Sequence, residues 1–311
     1  MADRKSFYDQ IDSNKRNSWI LVFVVMVTLG FLTLAIGGII AYNWNVGVMF
    51  IFLMFASVFN IAYILYTYYN SDKVALKSVN AYEADPNHPN FSQLHHIIEE
   101  MAIAGGMPKP RVYVMPTQDI NAFATGRDPE HSVVCVTEGC LMKLNRQELQ
   151  SVIAHEMTHI RNYDIRFVTL VAVMVGLVSI ISQMFLRSLW YGSMFGGGRR
   201  RGGGGGNVVF LLLGIVLAIV APLIVKLVQL AISRKREYMA DGGAVELTRY
   251  PEGMISALKK IEADYAQPRK HSEVSAAVAP MFLADPTKHR ITSLFQTHPP
   301  IADRIKALQA M

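Results

Sequence analysis

The sequence predicts a mainly α-helical integral membrane protein, with four transmembrane helices and a cytoplasmic α+β domain that carries a small sheet. Three observations lead there. Of 311 residues, 51% are hydrophobic and only 17% charged, whereas soluble domains carry roughly a quarter charged residues. No charged side chain occurs from Asn17 to Ser71, a stretch long enough for two spans of ~20 residues. The other apolar runs alternate with polar segments that show bounded strands and a capped helix.

In chain order, the first span covers about Ser18 to Ala41, the turn Asn43-Trp44-Asn45 follows, and the second span covers about Val46 to Tyr69. The apolar run is too long for a cleaved signal peptide and a second span follows at once, so the first is expected to remain as an anchor. Phe167 to Leu186 is a third apolar stretch, and Val208 to Val225, continuing past Lys226 to Ile232, is a fourth. Pro222 is tolerable there as a kink, and Lys226 can snorkel. Between them Gly196 to Gly206, with Arg199, Arg200 and Arg201 embedded, is too glycine-rich to pack and is expected to be disordered.

Lys and Arg near the span ends set the orientation. Arg4, Lys5, Lys15 and Arg16 precede the first span, Lys73 and Lys77 follow the second, Arg161 and Arg166 precede the third, and Arg234 to Arg236 follow the fourth. Both termini and the polar segments are therefore expected in the cytoplasm, at the inner membrane. Arg187 and the three loop arginines break this rule if the second hairpin crosses fully. Either the loop is translocated against the rule, or these two helices are partly enclosed by protein. The chain divides accordingly into a tail and first hairpin (1–72), a first cytoplasmic half (73–165), a second hairpin (166–232) and a second cytoplasmic half (233–311).

The net charge of +6 clusters beside apolar segments, which fits a bilayer partner and no nucleic acid. Two cysteines, Cys135 and Cys140, are too few for a disulfide framework and are read as reduced, buried thiols. In the first cytoplasmic half a helix is expected over about Phe91 to Ala104, ended by Gly105-Gly106, then strands at Arg111 to Met115 and Ser132 to Val136. Asn145 followed by Glu148 is a capping box that opens the next helix.

That helix carries His155-Glu156-Met157-Thr158-His159. Side chains four apart share a helix face about 6 Å apart, so both imidazoles can hold one zinc ion while Glu156 reaches its water. A catalytic zinc needs a third ligand and an open position. Glu237 supplies the ligand, and Asp241, one turn on, can accept a hydrogen bond from a ligating imidazole. The competing readings are two ordinary histidines on an amphipathic helix, and a charged helix solvated beneath the membrane.

His155 to His159, Glu237 with Asp241, the Asn121-Ala122-Phe123 segment and Thr297-His298-Pro299-Pro300 with Arg304 together resemble the HtpX-type membrane zinc endopeptidases, gluzincins related to the CAAX prenyl endopeptidases. The resemblance covers nearly the whole chain. It implies one zinc per chain, ATP-independent cleavage of damaged or misfolded membrane proteins under stress, and an active site facing the cytoplasm. Glu156 is then the general base, and His298 or Arg304 the donor to the tetrahedral oxyanion. The alternative for that pair is a helix-starting turn with Arg304 in a solvated ion pair. Asn121, Ala122 and Phe123 lie between two strands and are read as an edge strand on which an extended substrate pairs through its backbone, or else as a buried turn. His88, His95, His96, His131, His271 and His289 have no partner at ligand spacing. Two rival functions remain, a non-catalytic zinc-binding membrane scaffold and a processing enzyme for prenylated C-termini. A complete Glu156 speaks against the first, because a structural zinc wants four ligands and no base.

Overall fold

A computed structural model describes residues 11–20, 22–24, 26–27, 30, 33–34, 45–170, 234–267, 281–283 and 299–311. Over these the chain is mainly helical, with one small mixed sheet. Among the described residues one helix is long and apolar enough to cross a bilayer, at Val46–Tyr66. The expected first and third spans are described only in part, and the fourth span and the Gly/Arg loop lie outside the described residues.

Helix α1 comprises the described helical positions between 11 and 34, and α2 is Val46–Ser78. Asn45 caps α2, its side chain accepting from the Val48 amide at 2.9 Å. Phe50, Phe55, Val58 and Phe59 on α2 are each more than 60% exposed, an apolar surface that lipid can cover. Asn60 donates to the Thr33 hydroxyl at 2.8 Å, a polar contact that joins α1 to α2. The boundary expected at residue 72 falls inside α2, which continues to Ser78 with one non-helical residue, Asn70. Tyr63, Tyr66, Tyr68 and Tyr69 lie at the end of the span, where aromatic side chains mark an interface.

Beyond it come β1 (Tyr82–Glu83), α3 (Pro89–Gly105), β2 (Arg111–Met115), β3 (Ala122–Gly126), β4 (Ser132–Thr137), α4 (Glu138–Lys143) and α5 (Arg146–Arg161). A helical run over residues 164–170 is α6. Then α7 (Arg234–Thr248), α8 (Pro251–Tyr265) and α9 (Ile301–Gln309) complete the described chain. Strand order is β1-β2-β4-β3, with β2 parallel to β4 and the other pairs antiparallel. β4 is buried on both faces. Its Val134 and Val136 join a core built on α3, α5 and α8, while Val133 and Cys135 meet Phe123 and the lower end of α2 at Ala75 and Leu76. The sheet is thus held between α3, α5 and α8 on one face and the end of α2 on the other.

α5 is the centre of the domain. Its capping box is complete, Asn145 accepting from the Glu148 amide at 3.0 Å and Glu148 from the Asn145 amide at 2.8 Å. Glu148 is also held from α8, by Ser256 and Lys260 at 2.7 Å each. From Leu149 to Ile160 nearly every side chain is buried, so α5 is packed on all sides. Its closest neighbour is α7, which crosses at Gly243. A Cβ there would stand 2.4 Å from the Thr158 methyl, so the approach needs a residue without one.

Candidate metal centre

The crossing of α5 and α7 brings three ligand-type side chains together. His155 Nε2 and His159 Nε2 are 3.2 Å apart, and Glu237 oxygens lie 3.7 Å from each. Ligands ~2.0–2.1 Å from a tetrahedral zinc stand about 3.3 Å from one another, close to these separations. Each imidazole directs Nδ1 to a carboxylate, His155 to Asp241 and His159 to Asp164, both at 3.0 Å, which leaves each Nε2 for the metal.

Charge points the same way. Glu156, Asp164, Glu237 and Asp241 are all buried, and among the described residues the guanidiniums of Arg236 and Arg304 are the cations buried beside them. Four carboxylates against two cations leave two negative charges, which a dication balances. Burial alone lowers an imidazole pKa, but Asp164 and Glu237 outweigh it and push His159 up to about 9. His155 is raised likewise, where Asp241 and Glu237 overcome burial and the opposing Arg304. Both positions favour positive charge. Glu156 has its carboxyl raised, chiefly by burial and also by Glu237, against the lowering influence of both histidines and a hydrogen bond from the Ala124 backbone.

Of the residues singled out in the sequence, His155, Glu156, His159, Glu237, Asp241 and Arg304 meet at one place. Arg304 is 1% exposed, so it is no solvated pair. Its Nε and Nη2 donate to the two oxygens of Asp241 at 2.9 and 2.6 Å, and Nη1 donates to the Leu283 carbonyl at 3.3 Å. This fork holds the carboxylate that holds His155. His298 lies outside the described residues. Asn121 immediately precedes β3, and its carbonyl accepts from the Thr137 amide at 3.0 Å. Ala122 and Phe123 begin β3, the last strand of the sheet, beside α5. Their outer edge meets Met281 to Leu283 of the same chain, with Leu283 donating to the Ala122 carbonyl at 2.9 Å and Phe282 bridged antiparallel to Phe123.

Elsewhere, His88 caps α3, His95 meets the Ala84 carbonyl at 2.8 Å, and His131 pairs with Asp128. Cys135 and Cys140 are buried free thiols. Burial pushes Cys140 up to about 11, despite its bonds to Thr137 and Asn121, so it is inert at neutral pH.

Sequence reasoning missed Asp164, Asn14 and Arg236. Asp164 had a local signal, a carboxylate just past the end of the metal-binding helix. Tyr163, at φ 59°, turns the chain back there so that Asp164 faces His159. Asn14 lies 150 residues from Asp164 and had none.

The profile of peptidase family M48 matches residues 88–311. A "Protease HtpX homolog" from Caldanaerobacter subterraneus subsp. tengcongensis is 43% identical over 308 residues, spanning 99% of both chains. Proteins of the same description from Dictyoglomus thermophilum and Streptococcus agalactiae are 43% and 44% identical, covering 98% of this chain and 95% and 99% of theirs. Among solved structures, Ste24p of S. mikatae is 16% identical with a TM-score of 0.45, over 95% of this chain and 66% of that one. With the His155–His159–Glu237 cluster in place, the family profile and the HtpX homologs make the chain a zinc metalloendopeptidase, and it belongs to peptidase family M48.

Proposed function

We propose that this endopeptidase is a multi-pass protein of the cytoplasmic membrane, with four spans, and that it hydrolyses misfolded or damaged membrane proteins on the cytoplasmic side as part of a stress response. The description of its relatives as HtpX homologs supports the substrate class. The Lys/Arg bias around the first hairpin supports the orientation.

One observation carries the chemistry: Glu156 is buried at the metal cluster and beside the edge strand. Zinc, when bound there, supplies the Lewis acidity that activates water and polarises a scissile carbonyl. The Glu156 carboxylate takes the proton of the attacking water and returns it to the leaving amine, a task suited by a carboxyl raised above its ordinary value. Arg304 keeps Asp241 ionised and aimed at His155, and His298 donates to the oxyanion. An extended substrate pairs along β3, with Asn121, Ala122 and Phe123 holding the strand. Met281 to Leu283 already occupy this edge, with Leu283 on the Ala122 carbonyl and Phe282 bridged antiparallel to Phe123, so a substrate strand pairs here in place of that segment.

Glu156→Gln tests it. The ligand set is untouched, so zinc content is expected to equal the parent's while cleavage of casein or a membrane-protein substrate falls by roughly 10²- to 10⁴-fold or more. Near-parental turnover by the zinc-loaded variant removes Glu156 from this role.

A further inference from the structure

The helix that enters the membrane first also touches the metal centre from behind. Asn14 on α1 is 1% exposed, 150 residues away in sequence from the carboxylate it meets. Its Nδ2 donates to Asp164 Oδ1 at 2.7 Å and to the Asn162 carbonyl at 2.8 Å. The other oxygen of the same carboxylate, Oδ2, accepts from His159 Nδ1 at 3.0 Å. Arg236 reaches Oδ1 at 3.5 Å, a looser contact than that of Asn14. One residue on, the Lys15 ammonium sits 4.5 Å from the centre of the Tyr163 ring. Ser18 donates back to the Asn14 carbonyl at 2.8 Å, so α1 is regular helix through this contact and into the expected span.

We propose that Asn14 is a positioning residue of the zinc centre, fixing the orientation of Asp164 and through it the imidazole of His159. A carboxylate with one oxygen on a ligating histidine can rotate or tilt unless its second oxygen is also held. The amide of Asn14 does this as a neutral donor, at a shorter distance than Arg236 on the same oxygen. Asn14 lies one helical turn, about 6 Å of rise, before Ser18, which couples the seating of the first span to the geometry of one zinc ligand. The inference rests on the His155–His159–Glu237 centre, and one zinc bound per parent chain is the separate check on that centre.

The test uses the full-length protein in detergent and reads zinc affinity by competition with a chromogenic chelator, together with the visible spectrum of the cobalt-substituted protein. Asn14→Ala is expected to weaken zinc binding about tenfold, at the low end of what outer partners of a ligating histidine contribute, and to alter the cobalt bands. Asn14→Asp has the same shape but turns the donor into an acceptor facing Asp164, and is expected to lose more. Lys15→Ala, which loosens the same docking without touching Asp164, is expected to bind like the parent. On an Asp164→Asn background Asn14→Ala is expected to add no further loss, because the two act in one chain. Asn14→Ser serves in every arm if the alanine variant does not fold. Parental affinity and spectrum in the Asn14 variants, a Lys15→Ala loss equal to theirs, or additive losses with Asp164→Asn would each overturn the proposal.

Discussion

The two metal-binding imidazoles sit one turn apart on the same helix, yet they are held by different parts of the molecule. His155 is fully buried and its Nδ1 meets Asp241, which Arg304 grips with two nitrogens. Every member of that chain beyond α5 comes from the C-terminal half. The side chain of His159 is 16% exposed, and its Nδ1 meets Asp164, held by Asn14 and Arg236. Asn14 and Asp164 sit on helices that run toward the expected spans, and Arg236 on α7, which also carries Asp241. The difference teaches that one ligand is fixed from the C-terminal half alone and the other also from helices that run toward the expected spans. The first should fail as loss of fold, the second as loss of metal.

Removing Arg304 has the largest expected effect. Asp241 would then be a buried carboxylate with its main counter-charge gone, and breaking such a pair costs about 3–5 kcal/mol. Arg304→Ala is expected to lower the thermal midpoint sharply with or without zinc, and Asp241→Asn on the same background to recover part of it by removing the orphaned charge. If the single variant melts like the parent, the His155 side is no better anchored than the His159 side and the contrast collapses.

Asp164→Asn comes next, and separates the two sides by its readout. It is expected to cost roughly 10- to 100-fold in zinc affinity, the range for outer partners of ligating histidines, while the metal-free protein keeps a midpoint near the parent's. A large drop in metal-free stability would mean that the His159 support is as structural as the other.

Much of the His155 side was legible in the sequence and little of the His159 side, for a physical reason. Helical periodicity puts His155, Glu156 and His159 on known faces, and the four-residue step from Glu237 to Asp241 places a second carboxylate beside the first. The capping box at Asn145 and Glu148 fixed where α5 starts, and alternation found β2 and β4. β1, at two residues, is too short to alternate. The pairing of Arg304 with Asp241 and of Asn14 with Asp164 depends on how distant helices pack, information that no local spacing carries. Gly243 belongs to the same class, since the sequence shows a glycine but not the threonine it must admit.

That glycine gives the third prediction, which concerns what the two sides share. α7 delivers Glu237 to both imidazoles, and its approach to α5 is set where residue 243 meets Thr158, between the ligands. Gly243→Ala places a Cβ 2.4 Å from the Thr158 methyl and 2.6 Å from its hydroxyl, and overpacking of this kind costs about 1–3 kcal/mol. Zinc affinity and the thermal midpoint are expected to fall together. Thr158→Ala on that background should restore most of both by removing the two clashing atoms. A loss confined to one readout would show that α7 serves the two imidazoles unequally.

The smallest effect is a pH slope at the start of α5, upstream of both ligands. Burial pushes the Glu148 carboxyl up, but hydrogen bonds from Lys260, Ser256 and the Asn145 amide outweigh it and hold the group below its ordinary value of 4.5. A carboxylate depressed in the folded state binds its proton more readily when unfolded, so its stabilisation is complete above the unfolded value and is lost as pH falls through the folded one. The metal-free protein is the right sample, because acid also releases zinc by protonating its ligands. Its thermal midpoint is expected to fall as pH drops below the ordinary carboxyl value of 4.5, and Glu148→Gln to have a lower midpoint at neutral pH with a shallower acid slope. Because Glu148 fixes the first turn of the helix that carries both histidines, this loss should weaken the His155 and His159 sides alike, and an unchanged slope in the glutamine variant would place the acid sensitivity at other carboxylates, Asp241 first.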